Sequence, residues 1–292
     1  MYYIVYGFLW LISLLPLRIL YIFSDTVYGL IYYVFKYRRD VVMNNLLIAL
    51  PEKTEKERIA IAKKFYHNLI DTFIETIKMI SVSNKFIEKR FTANWEVLND
   101  IYSSGKSVQL HLGHNFNWEW GNATLQGNTH FRLLAVYMPF ANKIFERLFF
   151  KLRTRGGGVF LRATSMREDF LPYRNTQYLL GLVADQNPGH PNSAWWISFF
   201  GKLTPFLKGP AKAAIANDTK IVFAFIHKPK RGYYEGVFSL AVEDPSNLTE
   251  EELTKKFVIY LEKVIKQYPD MWLWSHRRWK WEWKPEYGKI IT

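Results

Sequence analysis

The chain has 292 residues, with 39 Lys and Arg against 26 Asp and Glu and a formal net charge of +13. That surplus favours anionic partners: phospholipid head groups, phosphorylated glycolipids, acidic carrier proteins or nucleic acid. Having no cysteine, the chain is excluded from disulfides, thiolate nucleophiles and cysteine metal ligands, so its chemistry must use oxygen and nitrogen groups.

Aromatic residues make up 17% of the sequence, with 11 Trp, 18 Tyr and 22 Phe, a content common where side chains sit between water and lipid. Residues 1–17 carry no ionisable side chain other than tyrosines. That length approaches the roughly 20 residues needed to cross a bilayer core, and residues 20–23 extend it if Arg18 snorkels. No basic region precedes this run and no small-residue cleavage site follows it, which argues against a cleaved signal peptide. Ser24 and Asp25 are placed to cap a second apolar helix over residues 26–35, and the basic cluster Lys36, Arg38 and Arg39 then predicts a cytoplasmic body. Pro16 and the polar break at Ser24 leave a spanning and a monotopic anchor both open.

Over residues 54–79, Ile59, Ala62, Phe65, Leu69, Phe73 and Ile77 recur at mostly helical spacing, which predicts a long amphipathic helix or a broken pair. Residues 107–112, 131–137 and 177–184 read as short buried strands with helical stretches between them. Two further strands, 221–227 and 233–242, flank a turn at 230–232, and residues 249–268 form a last amphipathic helix. No repeat or linker interrupts this order. The alternation predicts an α/β sandwich with a largely parallel or mixed sheet, its active site at loops leaving strand ends.

The stretch VQLHLGHNFNWEWGN, residues 108–122, carries the chemistry. A strand ends at Leu112, Gly113 lets the chain turn, His114 falls in the loop, and Glu119 follows in the opening turn of the next helix. An alcohol is too weakly acidic to attack a thioester unaided, so an imidazole must take its proton as the bond forms. His114 is the expected base, and Glu119 the expected carboxylate that fixes its tautomer, the attacking hydroxyl standing where serine stands in a triad. Backbone amides near Phe116, or the side chains of Asn115 and Asn117, are the expected oxyanion donors. His111 and His114 are three apart with His111 at a strand end, which fits the metalloprotease pattern poorly, so no metal site is expected. His67, His130, His190 and His227 have no acidic partner at suggestive spacing in the sequence.

With its His-x4-Glu motif, the chain resembles the bacterial lipid A late acyltransferases, the lauroyl and myristoyl acyltransferases, within the lysophospholipid acyltransferases. The resemblance runs through the amino-terminal apolar helix, AVYMPFANKIFERLFFKLRTRGG, GLVADQNPG, FFGKLTPFLKGPAKAA and YPDMWLWSHRRWK. It implies an acyltransferase-type α/β sandwich with a mixed sheet, residues 1–39 being membrane-anchor helices and 40–292 the catalytic domain. It also implies transfer of a fatty acyl chain from acyl carrier protein, or from acyl coenzyme A, to a hydroxyl of a lipid A precursor on the cytoplasmic face of the inner membrane, without cofactor. Arg153 and Arg155 are the implied phosphate contacts, Asp185 a site carboxylate at a strand end, and Thr204 and Gly209 the groove mouth. Where many relatives carry Tyr-Arg-Pro, this chain has Tyr137-Met138-Pro139. Met138 therefore keeps amino-acid lipids and lysophospholipids open as acceptors, and a lipid hydrolase using the same pair is a further alternative. The tail, residues 272–284, interleaves aromatics with His276, Arg277, Arg278, Lys280 and Lys284. Beside an apolar amino terminus this reads as an interfacial belt with lipid-phosphate contacts, or as core packing for Trp272 and Trp274, rather than as a nucleic-acid surface.

Overall fold

A computed structural model describes residues 1–292. The amino-terminal apolar stretch forms α1 (Tyr2–Leu14) and α2 (Leu17–Gly29), the latter continuing as a π-helical turn, Leu30–Val34. The two are bent by 115°. The break falls at Pro16, which disfavours helical geometry at Leu15 and was one of the two breaks the sequence offered; Ser24 and Asp25, the other, do not interrupt α2. Those two residues lie inside α2 as lateral ties: Ser24 Oγ donates to Asp71 Oδ1 at 2.7 Å, and Asp25 accepts from Arg231 at 2.6 Å. No single helix is long and apolar enough to cross a membrane, although the bent pair together has the length and composition. Ile4, Phe8, Leu11, Ile19, Ile22 and Phe23 are exposed on it.

The chain continues through α3 (Arg39–Ala49) and α4 (Glu55–Lys78). Thr54 and Glu57 form a reciprocal capping box at the start of α4, so the predicted helix is one unbroken element. Its far end grips α1, with Lys78 Nζ donating to the carbonyls of Ser13 and Leu15 at the end of that helix, at 2.6 and 2.9 Å. Next come α5 (Asn84–Glu88), β1 (Phe91–Ala93), α6 (Glu96–Ser103), β2 (Val108–Leu112), α7 (Trp118–Asn128), β3 (Arg132–Tyr137) and α8 (Lys143–Thr154). They are followed by β4 (Val159–Arg162), α9 (Met166–Phe170), β5 (Tyr178–Val183), β6 (Ala194–Phe199), β7 (Lys202–Leu207) and α10 (Gly209–Ala216). The long strands β8 (Lys220–Lys230) and β9 (Tyr233–Val242) and the helix α11 (Glu250–Gln267) complete the order.

Seven strands form one mixed sheet in the order β1-β9-β8-β2-β5-β3-β4, in which only the β8/β9 hairpin is antiparallel. This is the mixed α/β arrangement the alternation implied. Strand β2 sits at its centre, and the side chains of a strand alternate between the two faces. Leu110 packs with Leu98, Ile101 and Leu125 on the side of α6 and α7, while His111 meets Phe257 of α11 on the other. Strand β2 is covered on both faces although Val108, Leu110 and Leu112 alternate with the polar Gln109 and His111, both of them buried. The β6/β7 hairpin lies outside this sheet and had no clear sequence signal.

Candidate active site

The site begins with strand register. Strands β2 and β5 are parallel neighbours with Leu112 opposite Val183, so the two residues beyond each strand end are brought side by side: Gly113 with Ala184, His114 with Asp185. The bond from the Ala184 amide to the Leu112 carbonyl, 3.1 Å, carries the pairing past the strand ends. A side chain at Gly113 would have no room, because a Cβ there would stand 2.8 Å from Leu261 Cδ1 and 3.2 Å from Asp185 Oδ2.

Asp185 is the carboxylate that meets the histidine. Its Oδ1 lies 2.5 Å from His114 Nδ1, and its Oδ2 accepts from the His114 amide at 2.8 Å and from Trp272 Nε1 at 2.6 Å. Burial by itself would raise this carboxyl, which is 2% exposed; the neighbouring imidazole and the three hydrogen bonds outweigh it and bring it down to about 2. An ionised Asp185 holds the imidazole proton on Nδ1, leaving Nε2 with its lone pair free to act as a base. Nε2 faces Gln186, whose side-chain nitrogen is 3.1 Å away.

Glu119 does not meet His114. It sits in the first turn of α7 facing α8, where Arg153 gives its carboxylate three bonds of 2.6 to 3.1 Å and Trp118 Nε1 a fourth at 3.1 Å. The five-residue spacing is spent on the turn through Phe116 and Asn117. Arg153 is therefore an ion-pair partner at the edge of the cavity, not an unengaged phosphate clamp. Arg155 binds the backbone carbonyls of Met79 and Val82 beyond α4, so it fastens a loop. Asn117 caps α7, accepting from the Trp120 amide at 3.2 Å and donating to Glu75 at 2.8 Å, and is fully buried. Asn115 is buried outside the cavity lining, and the Phe116 amide is spent on the Met271 carbonyl. Thr204 is buried in β7 and bonds the Lys202 carbonyl, so it does not shape a groove mouth; Gly209 opens α10, and the adjacent Pro210 reaches the cavity. His111 is buried against Gln109, and burial lowers it to about 4. Two of the histidines read as ordinary do have acidic neighbours, His67 with Asp25 and His227 with Glu235.

The tail contributes from below. Trp272 and Trp274 are buried, as core packing would have them, but Arg278 is fully buried as well and cannot contact lipid. It donates to Asn187 Oδ1 at 2.8 Å and to the Pro205 carbonyl at 2.9 Å, while Asn187 Nδ2 donates to the Arg277 carbonyl at 2.8 Å. The tail thus clamps the loop after β5. Sequence reasoning missed Gln186, Asn187 and this clamp; the one available signal was that they immediately follow Asp185 at a strand end.

His114 and Gln186 open onto a cavity of about 490 Å³ between the sheet and α7, within the range of small-molecule sites. Leu110, Leu125, Leu133, Phe225 and Phe238 line it, and at Gly181 a Cβ would meet nothing nearer than 3.8 Å, so the glycine leaves space that a larger side chain would fill. Glu119, Arg153 and Met138 also line it, Met138 being 66% exposed. An apolar cavity with one oriented imidazole on its wall has room for a hydrocarbon chain beside a base. A comparison with curated proteins returned no match. The family model described as bacterial lipid A biosynthesis acyltransferase matches residues 1–281, and the chain belongs to that family.

Proposed function

We propose that this acyltransferase moves a fatty acyl chain from a thioester, carried by acyl carrier protein, onto a hydroxyl of a lipid A precursor, with His114 as general base and Asp185 as its orienting carboxylate. The observation that carries this reading is the His114–Asp185 pair at the wall of an apolar cavity, with Nε2 turned towards it. The hydroxyl oxygen attacks the thioester carbonyl as its proton passes to Nε2; the tetrahedral intermediate then collapses, the C–S bond breaks, and the same proton leaves with the thiolate. Asp185 keeps the tautomer and stabilises the imidazolium between the two steps. Glu119 and Arg153 form a neutral, rigid wall that holds α7 against α8 where the acyl chain enters. Coenzyme A is the alternative carrier; the net charge of +13 favours an acidic protein carrier.

We place the enzyme at the cytoplasmic face of the inner membrane, residues 1–39 serving as a monotopic anchor. The exposed apolar side chains of the bent α1–α2 pair support this, as does the basic segment Lys36 to Arg39. The deciding test is lipid mass spectrometry of cells lacking the gene, complemented by wild type or by His114→Ala. The expected result is a lipid lighter by one acyl chain, restored only by wild type, which also identifies acceptor and chain. An unchanged lipidome in a strain with no redundant relative would sink the proposal.

A further inference from the structure

The nitrogen that must act as base already has a partner. Asp185 keeps the proton on Nδ1, so Nε2 is an acceptor, and the Gln186 side-chain nitrogen 3.1 Å away is its donor. This is the place an attacking hydroxyl has to take, since a base works within about 2.6–3.2 Å of the atom whose proton it removes. Gln186 is half-buried and lines the cavity, while the residues on either side of it are fixed. Asp185 is held by three hydrogen bonds and Asn187 by Arg277 and the buried Arg278. Its backbone is thereby immobilised and its side chain left to turn.

The tetrahedral intermediate of acyl transfer carries an oxyanion that needs a donor within about 3 Å. Of the neighbouring candidates, Asn115 Nδ2 has no partner but is buried outside the cavity lining, and the others are already used. The His114 amide serves Asp185, the Phe116 amide serves Met271, Asn117 serves Glu75, Trp118 Nε1 serves Glu119, and Asn187 Nδ2 serves Arg277. Gln186 is the side-chain donor beside Nε2 whose only protein partner, the imidazole, is the one that substrate displaces.

Resting on the acyl-transfer reading above, we propose that Gln186 is a catalytic residue: it holds the acceptor's place on Nε2 until the hydroxyl arrives, then donates its amide N–H to the thioester oxygen. As the hydroxyl oxygen bonds to the carbonyl carbon, the hydroxyl proton goes to Nε2 and the carbonyl electron pair moves to the oxygen facing Gln186. When the pair returns, the C–S bond breaks and the thiolate takes the proton from Nε2. Gln186 gains and loses only a hydrogen bond. The device also screens the imidazole from water until acceptor is bound, which protects the thioester from hydrolysis.

The test uses the full chain in detergent micelles, an acyl-carrier-protein thioester and a hydroxyacylated lipid A precursor, with Gln186→Ala and Gln186→Glu. Glutamate keeps the size of glutamine and loses the donor. Both variants are expected to lower kcat by about 10²- to 10³-fold with KM little changed, the usual loss for one oxyanion donor. The ¹⁵N resonance of His114 Nε2 should shift in Gln186→Ala without substrate, because the bond to the lone pair is gone. A residue that merely supports the loop would give the opposite pattern: wild-type kcat in Gln186→Glu, with a lower melting temperature in Gln186→Ala. Wild-type kcat in either folded variant overturns the proposal while leaving acyl transfer intact. A wild type that transfers nothing from carrier or coenzyme A thioesters removes the acyl-transfer reading, and this inference with it. Should Gln186→Ala fail to fold, Gln186→Glu decides alone.

Discussion

Exchanging Asp185 for asparagine separates the two carboxylates that could serve His114. The aspartate accepts from Nδ1, from the His114 amide and from Trp272. An asparagine of the same shape can keep its oxygen on the last two, which forces its NH2 group towards Nδ1. Two donors cannot face each other, so the imidazole proton moves to Nε2 and the base is lost. The same exchange in a serine triad costs about 10⁴-fold in kcat, or roughly 5 kcal/mol of barrier. We expect that loss here, with KM nearly unchanged. Glu119→Gln is the control: it keeps the size of a side chain bound to Arg153 and Trp118 and removes its charge. An unpaired, largely buried Arg153 costs stability, so the melting temperature falls while kcat drops far less than in Asp185→Asn. Steady-state kinetics on carrier-bound thioester, with thermal melts on the same preparations, reads both. A folded Asp185→Asn enzyme with near-normal kcat, beside a folded Glu119→Gln enzyme that is inactive, would refute the assignment and restore the pairing read from the motif.

Other consequences follow from the same geometry. Gly181→Leu places a side chain in the cavity from a position where a Cβ meets nothing closer than the Leu134 carbonyl at 3.8 Å, so selectivity in thioester competition assays should shift towards shorter chains. Gly113→Ala drives a methyl group against Leu261 and Asp185; both activity and melting temperature should fall, by about 1–3 kcal/mol in stability. The Asp185 carboxyl is lowered in the folded state to about 2 from an ordinary 3.8, so its stabilising contribution is complete above pH 3.8 and is lost as pH falls through about 2. In denaturant titrations the stability gap between wild type and Asp185→Asn should therefore narrow over that window; a gap independent of pH would contradict it. Replacing the exposed Phe8 and Leu11 with lysine should weaken vesicle flotation and leave the melting temperature unchanged, since neither packs into the core.

Much of the chain was legible because local rules and burial agreed. The capping boxes at Thr54 and Thr249 mark the starts of α4 and α11, and the apolar run of β5 follows from its place inside the sheet. Of the two breaks read in the amino-terminal apolar stretch only Pro16 holds, because Ser24 and Asp25 look like a cap and are instead ties to Asp71 and Arg231, residues far along the chain. The family motif drew attention to His114 and supplied a carboxylate five residues on. Spacing within a loop fixes only how far two side chains can reach, whereas where they point depends on how α7 seats on α8.

The sequence by itself determined the α/β alternation, the apolar amino terminus, the family and the histidine at a strand end. Those are properties of short segments, set by periodicity, caps and motif. The tertiary structure decided the histidine's partner, the donor that faces it and the apolar cavity beside it. Asp185 and Gln186 stand 71 and 72 residues from His114, and only the parallel register of β2 with β5 brings them together.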